Sequence, residues 1–338
     1  MSSQQILLGS GVVPYPPVES LFRTYNFTGS GSSETVQMLD NENGSGYTSG
    51  DGAAVWHWRR SGSNDPYYFD TFNVAGELLI PEGPYSGEFS GWEDSFEGWD
   101  TNKHNFYLGT NNGWASNGDP YSGFIFRKYK EFFDFGEIYK SSTTQTFSHN
   151  LKATPYFMMV KRLSSSSSGY LNWMGWHGSE GGTKYMKMDQ QSGMVTNSDA
   201  WNDTSPTSTQ FTLGSGFGSG NFKYWIWPQY GPYINVGYYT GQSGNVSVTT
   251  SSDGTNSTAW KPQCITIRRL DSGEPWLWFS TRNGLGTTSQ TAKKMNANAQ
   301  TTADRVRLTS TGFTALSGNT MQNGNGNKYM YMAIREEE

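Results

Sequence analysis

The chain has 338 residues, of which 34% are hydrophobic, 16% are charged and 41 are glycines. Its apolar runs are a few residues long, far short of the roughly 20 that a membrane-spanning helix needs, and its net charge of −5 offers no basic face for nucleic acid. The single cysteine, Cys264, excludes an internal disulfide framework and a cysteine-rich zinc site. It lies in the run Cys264-Ile265-Thr266-Ile267 and reads as a small buried hydrophobe.

The opening MSSQQILLGSGVV lacks the basic flank and long apolar core of a signal peptide, so neither a secretion signal nor an anchor is expected. Ile6, Leu7 and Leu8, followed by Pro14, Pro16 and Pro17, make residues 1–20 an extended arm that cannot fold alone. Such an arm is either a loose terminus or a docking strand, and docking implies a partner. Beyond it, 13 Trp, 20 Tyr and 19 Phe supply the apolar surface that disordered chains lack, which predicts an aromatic core. The length exceeds what one core fills and favours two or three domains.

Five signals then recur in one order, three times. First comes an aromatic strand running into a polar turn: RTYNFTGSGSSETV (23–36), DFGEIYKSSTTQTF (134–147) and NVGYYTGQSGNVSV (235–248). An apolar run closed by two basic residues follows: AAVWHWRR (53–60), PYFMMVKR (155–162) and KPQCITIRR (261–269). Next are the aromatic strands DPYYFDTF (65–72), YLNWMGW (170–176) and PWLWFSTR (275–282), then the strand-turns HNFYLGTNNG (104–113), TQFTLGSGFG (209–218) and DRVRLTSTGF (304–313). Each unit closes with a strand: SGFIFRK (122–128), KYWIWPQ (223–229) and KYMYMAIR (328–335). The alternation and the Gly, Ser, Asn and Thr interruptions predict strands, and SQTAKKMNANAQTTADR (289–305) has no apolar stripe and reads as loop or strand. The prediction is an all-β chain of three tandem antiparallel β-sandwiches of jelly-roll or lectin-like type at 21–128, 129–229 and 230–338. The basic pair is expected to emerge where the core strand ends.

The middle unit, with HNLKATPYFMMVKRL, YLNWMGWHGS, WNDTSPTSTQFTLGSG and KYWIW, resembles the tandem units of virion structural proteins of tailed bacteriophages, especially marine and cyanobacterial phages. The opening MSSQQILLGSG and ESLFRTYNFTGSGS is similar to the start of those proteins. The resemblance implies a non-enzymatic tail fibre or tail protein with β-sandwich modules, made in the host cytoplasm and carried in the virion. It also implies other virion proteins as partners for the arm and an oligomer, trimeric as fibres tend to be. A capsid decoration or cement protein is the nearest alternative, and a carbohydrate-active enzyme the alternative of another class. The acidic-aromatic insert SGEFSGWEDSFEGWD (86–100) departs from the pattern, as does Pro228 in the middle closing strand.

Chemistry offers little to oppose the non-enzymatic reading. Glu93, Asp94, Glu97 and Asp100 form an acidic cluster beside Trp92 and Trp99, but spacing within a loop does not set the carboxylate separation on which glycosidases depend. His57, His104, His149 and His177 are scattered without ligand spacing, and the segment 40–51 has Gly44 where a calcium loop needs a ligand after Asp40 and Glu42. GSGFGSG (214–220) leads into a strand, not a helix, and is expected to be a hairpin turn. No cofactor or metal is called for. Exposed aromatics beside amides suit a pyranose, which makes Trp92, Trp99, Trp114 with Asn111, Asn112 and Asn117, and Trp176 with Asn172 and His177 the candidate glycan contacts. Trp173 and Trp176, three positions apart in one strand, face opposite sides, so at least one belongs in a core.

Overall fold

The computed structural model describes residues 15–38, 52–59, 67–73, 96–101, 105–110, 115–163, 169–188, 190, 192–274, 276–280, 291–294, 301–302 and 305–336. The chain is all-β, and every ladder between named strands is antiparallel. The first unit contributes β1 (Phe22–Thr28), β2 (Glu34–Gln37), β3 (Ala53–Arg59), β4 (Tyr67–Asp70), β5 (Phe96–Trp99), β6 (Asn105–Leu108) and β7 (Pro120–Arg127). The second contributes β8 (Asp134–Lys140), β9 (Gln145–Ser148), β10 (Pro155–Arg162), β11 (Met174–His177), β12 (Lys184–Lys187), β13 (Val195–Thr196), β14 (Gln210–Leu213) and β15 (Gly220–Pro228). The third contributes β16 (Ile234–Thr240), β17 (Val246–Thr249), β18 (Pro262–Arg269), β19 (Leu277–Ser280), β20 (Thr291–Lys294), β21 (Thr301–Thr302), β22 (Val306–Thr309), β23 (Gly312–Ala315), a short α1 (Thr320–Asn323) and β24 (Lys328–Arg335).

One topology is used three times. The large sheets run β1-β7-β3-β4, β8-β15-β10-β11-β12-β13 and β16-β24-β18-β19-β20-β21, so each unit's first and closing strands pair and its apolar-basic strand lies next to the closer. The small sheets are β2-β6-β5, β9-β14 and β17-β23-β22. The ladder registers also correspond. Tyr25 on β1 lies opposite Gly123 on β7, while Gly136 on β8 lies opposite Tyr224 on β15, and Gly237 on β16 opposite Tyr331 on β24. The same ring-over-glycine pair is kept with its members exchanged between strands in the first unit. A Cβ built on Gly123 would lie 2.2 Å from Tyr25 Cζ. Gly123→Ala is therefore expected to cost about 1–3 kcal/mol through overpacking, read as a lowered thermal midpoint. Gly244→Ala, whose Cβ would meet nothing within 4 Å, serves as the control.

The central strands are apolar on both faces because each large sheet is covered twice. On β3, Ala53 and Val55 join the core under the first small sheet, whereas Ala54, Trp56 and Trp58 join a second core shared by all three units. Likewise Met158 and Val160 on β10 face the second small sheet while Phe157 and Met159 face the shared core. On β24, Tyr329, Tyr331 and Ala333 face the third small sheet while Met330, Met332 and Ile334 face the shared core. Every pair of units meets in that core. Trp56 stacks on Trp225 at 6.2 Å, Trp58 meets Trp278 edge-on at 4.5 Å, and Phe157 meets Trp276 at 5.9 Å. The three sandwiches thus form a closed ring around one aromatic core, not beads on a string.

Two expectations need correction. The basic residues do not all emerge at the strand ends: Lys161, Arg162 and Arg268 are buried, Arg59 and Arg269 are partly exposed, and Arg60 lies outside the described residues. Main-chain carbonyls receive the buried ones, Leu171 O from Lys161 (2.7 Å) and Phe217 O from Arg162 Nη1 (2.8 Å), which helps to satisfy these cations. The glycine-rich segment 214–220 is not a hairpin, since β14 pairs with β9 in the small sheet and β15 with β10 and β8 in the large one. Its carbonyls are the ones that receive Arg162. The described end of the arm, from Tyr15, packs on its own chain. Pro16 is buried, Pro17 is exposed, and the Tyr15 ring lies 5.9 Å from Tyr129 and 6.5 Å from Tyr233, in the links between units. Ile6, Leu7, Leu8 and Pro14 lie outside the described residues. In the region expected to be loop or strand, β20 and β21 are the elements described.

Candidate functional site

Polar side chains concentrate where one unit's large sheet meets the next. Between the first and second units, Lys223 Nζ on β15 donates to Asp70 Oδ1 at the end of β4 (3.1 Å) and to Asn73 Oδ1 (3.1 Å). Trp225 Nε1 donates to Asp70 Oδ2 (3.1 Å), and Glu137 Oε1 on β8 lies 3.3 Å from the same ammonium. The side chains of Lys223 and Asp70 have no solvent exposure. This buried junction would be costly if either charge lacked its partner.

The junction of the second and third units is wetter. His177 ends β11 fully buried, and its Nδ1 is 2.9 Å from Ser179 Oγ and accepts from Ser179 N (3.3 Å). Ser179 Oγ also donates to Glu180 Oε1 (3.2 Å), while Glu180 pairs with Lys184 (2.8 Å) and with Lys328 of the third unit. A serine, a histidine and a glutamate are therefore in contact, but not as a hydrolytic relay. In a relay the hydroxyl and the carboxylate sit on opposite nitrogens of the imidazole. Here the carboxylate touches the hydroxyl itself, and Nδ1 is already engaged by the turn. Burial pushes the His177 imidazole down to about 3, so it stays neutral at ordinary pH. Despite its own burial, Glu180 is held below the usual carboxylate range by hydrogen bonds from Lys184 and Lys328. The assembly clamps two sheets together.

Around this clamp the surface is lined by tyrosines. Tyr238 on the edge strand β16 is 49% exposed with Lys328 Nζ 4.6 Å from its ring centre, and Tyr230 is 36% exposed. Half-buried Tyr156 packs edge-on to His177 at 4.9 Å. Its hydroxyl is pushed up to about 12, chiefly by burial and then by the neighbouring Tyr238 and Tyr230.

The residues singled out from the sequence fare differently. Asn172, Trp176 and His177 are buried, Trp176 at 3% and His177 at 0% exposure, which removes them as glycan contacts. Trp176 packs under the second small sheet and Trp173 in the shared core, so the two do face opposite sides of β11, and both sides are covered. Trp99 is half-buried against Phe69, Phe96 and Phe106, with Nε1 donating to Asn73 O (2.9 Å). Asn117 is exposed; Trp92, Asn111, Asn112 and Trp114 lie outside the described residues. Of the acidic cluster, Glu97 accepts from Ser33 Oγ (2.7 Å) and Asp100 from Asn105 Nδ2 (2.8 Å), and Glu93 and Asp94 are not among the described residues. Among the described residues no three His, Cys, Asp or Glu side chains gather as a metal site requires. Cys264 is buried, accepts from Trp278 Nε1 (3.2 Å) and has its thiol pKa raised by burial.

The residues that sequence reasoning missed are Asp70, Asn73, Glu180, Lys223, Tyr238 and Lys328. Their only signal was a charge set in an aromatic strand, as in YYFD and KYWIW, and nothing in the order of residues joins partners about 150 positions apart.

The family model called Domain of unknown function (DUF7483) matches residues 130–338. The chain belongs to that family. The DUF7483 match opens just before β8 and runs through β24, so it takes in the second and third units and the clamp between them, while the first unit lies outside it. No curated protein matches the chain.

Proposed function

We propose that the chain is a non-enzymatic structural protein of a tailed-phage virion, a tail fibre or tail-attached subunit that works by presenting a rigid surface to the host. The observation that carries this reading is the shared core, in which three repeated sandwiches spend their largest aromatic side chains on one another. Buried cations serve the same end: Arg268 and Lys223 tie neighbouring units together. The tandem units' resemblance to phage virion proteins supplies the setting. Within it, the Tyr238 and Tyr230 faces beside Lys328, Glu180 and Lys184 suit a pyranose, whose apolar face covers a ring while charged and polar groups bind its hydroxyls.

Two measurements test the reading. Quantitative mass spectrometry of purified particles is expected to find the chain at a few dozen copies or fewer. Hundreds of copies would make it a capsid decoration protein, and absence from the particle would end the virion assignment. The double variant Tyr238→Ala, Tyr230→Ala is expected to lose about 2–4 kcal/mol of binding to host-surface glycan, on the scale of interface hot spots, while keeping its thermal midpoint. Unaltered binding would move the contact elsewhere.

A further inference from the structure

We propose that Lys223 and Asn73 react with each other to form an intramolecular isopeptide bond, which covalently ties the first sandwich to the second. The reactants are a primary amine and a carboxamide, 150 residues apart in sequence, with Lys223 Nζ 3.1 Å from Asn73 Oδ1. Both residues are buried. Held together in this way, an amine and an acyl group gain the large effective concentration that makes intramolecular acyl transfer fast.

The residues needed for the transfer are in place. Asn73 Oδ1 accepts from the backbone N–H of Asp70 at 2.9 Å as well as from Lys223, and these two donors identify it as the oxygen end of the amide. The Asp70 N–H thus points at the atom where negative charge builds when the carbonyl carbon is attacked. The Asp70 carboxylate, 3.1 Å from Lys223 Nζ, is the base. It is aimed by Phe72 N (3.0 Å) and by Trp225 Nε1 (3.1 Å).

The ammonium of Lys223 passes a proton to Asp70 Oδ1, and the freed lone pair attacks Asn73 Cγ. The resulting tetrahedral oxyanion is held by the Asp70 N–H. As it collapses, the bond from Cγ to the carboxamide nitrogen breaks, protons return to the departing nitrogen through Asp70, and ammonia leaves. One C–N bond forms and one breaks, with no oxidant, reductant or co-reactant. Asp70 is the catalytic residue of this self-reaction. Glu137, 3.3 Å from Nζ on the solvent side, is a second carboxylate able to carry protons outward. Asp70 is the poorer acyl partner, because an ionised carboxylate resists attack and would have to expel oxygen. The clamp between the second and third units pairs Lys328 with Glu180 and offers no carboxamide, so it provides an internal control.

Intact mass measurement of the denatured full chain tests the proposal, combined with a protease digest. The expected result is a chain lighter than its sequence by one ammonia and a branched peptide joining Lys223 to Asn73. Lys223→Met and Asn73→Ala are each expected to restore the full sequence mass, as is Asp70→Asn with its fold verified by circular dichroism. Lys328→Met keeps the loss. An unaltered mass in the folded wild-type chain overturns the proposal and leaves the site a buried ion pair. A loss of ammonia without the branched peptide also overturns it, as does a loss of water with the branch at Asp70 or Glu137. The wild-type mass and digest decide the matter even where a variant fails to fold.

Discussion

Trp225→Ala is expected to destabilise the entire chain by about 3–5 kcal/mol, in one cooperative transition. Trp225 is fully buried and touches rings from two units: Trp56 and Tyr68 of the first, and Phe133, Trp173 and Trp227 of the second. Its indole N–H also donates to Asp70. Removing it opens a cavity in the core that all three sandwiches share and deprives a buried carboxylate of a donor. Urea unfolding followed by both fluorescence and circular dichroism checks the result. If the three sandwiches were independent, the variant would unfold in separate steps, the first and third units keeping their midpoints. Coincident, equally shifted curves are expected instead.

The second large effect concerns a cation. Arg268 on β18 sends Nη2 to the carbonyls of Lys187 (3.0 Å), Gln190 (2.9 Å) and Ser192 (3.0 Å), all from the unit before its own. Its guanidinium lies 5.4 Å from the centre of the Trp276 ring. Arg268→Met keeps much of the aliphatic volume and removes every donor, leaving one buried and three part-buried carbonyls without it. A buried acceptor left unpaired costs about 1–3 kcal/mol and a part-buried one less, so a total loss on the order of 3 kcal/mol is expected. Arg268→Lys should recover little of it, because one compact ammonium cannot reproduce a planar fork of donors. Equilibrium denaturation of the two variants measures the difference. A cost below about 1 kcal/mol for Arg268→Met, within the range of ordinary point substitutions, would show that the carbonyls find other donors and that the junction does not depend on Arg268.

Much of the fold is legible in the order of residues. KYMYMAIR (328–335) was expected as a closing strand and is β24 over the same residues, and the unbroken apolar runs of β3 and β10 are what a strand buried on both faces produces. The misread positions have local causes. A sandwich strand is ordinarily read as having a covered face and a wet one, but both faces of β11 are covered, Trp176 by its own small sheet and Trp173 by the shared core. Lys161 and Arg162 were expected to leave the strand end and instead turn back to carbonyls of their own unit.

The sequence alone determined that the chain is built of strands, that its core is aromatic and that one plan is repeated three times, because alternation, ring content and turn residues act between near neighbours. Tertiary structure alone decided that the repeats share a core, that their basic residues turn inward to carbonyls, and that Lys223 meets Asp70 and Asn73. Those outcomes depend on which sheet faces come together across a hundred residues or more, and only the closing of three faces upon one another settles which side chains are left to meet.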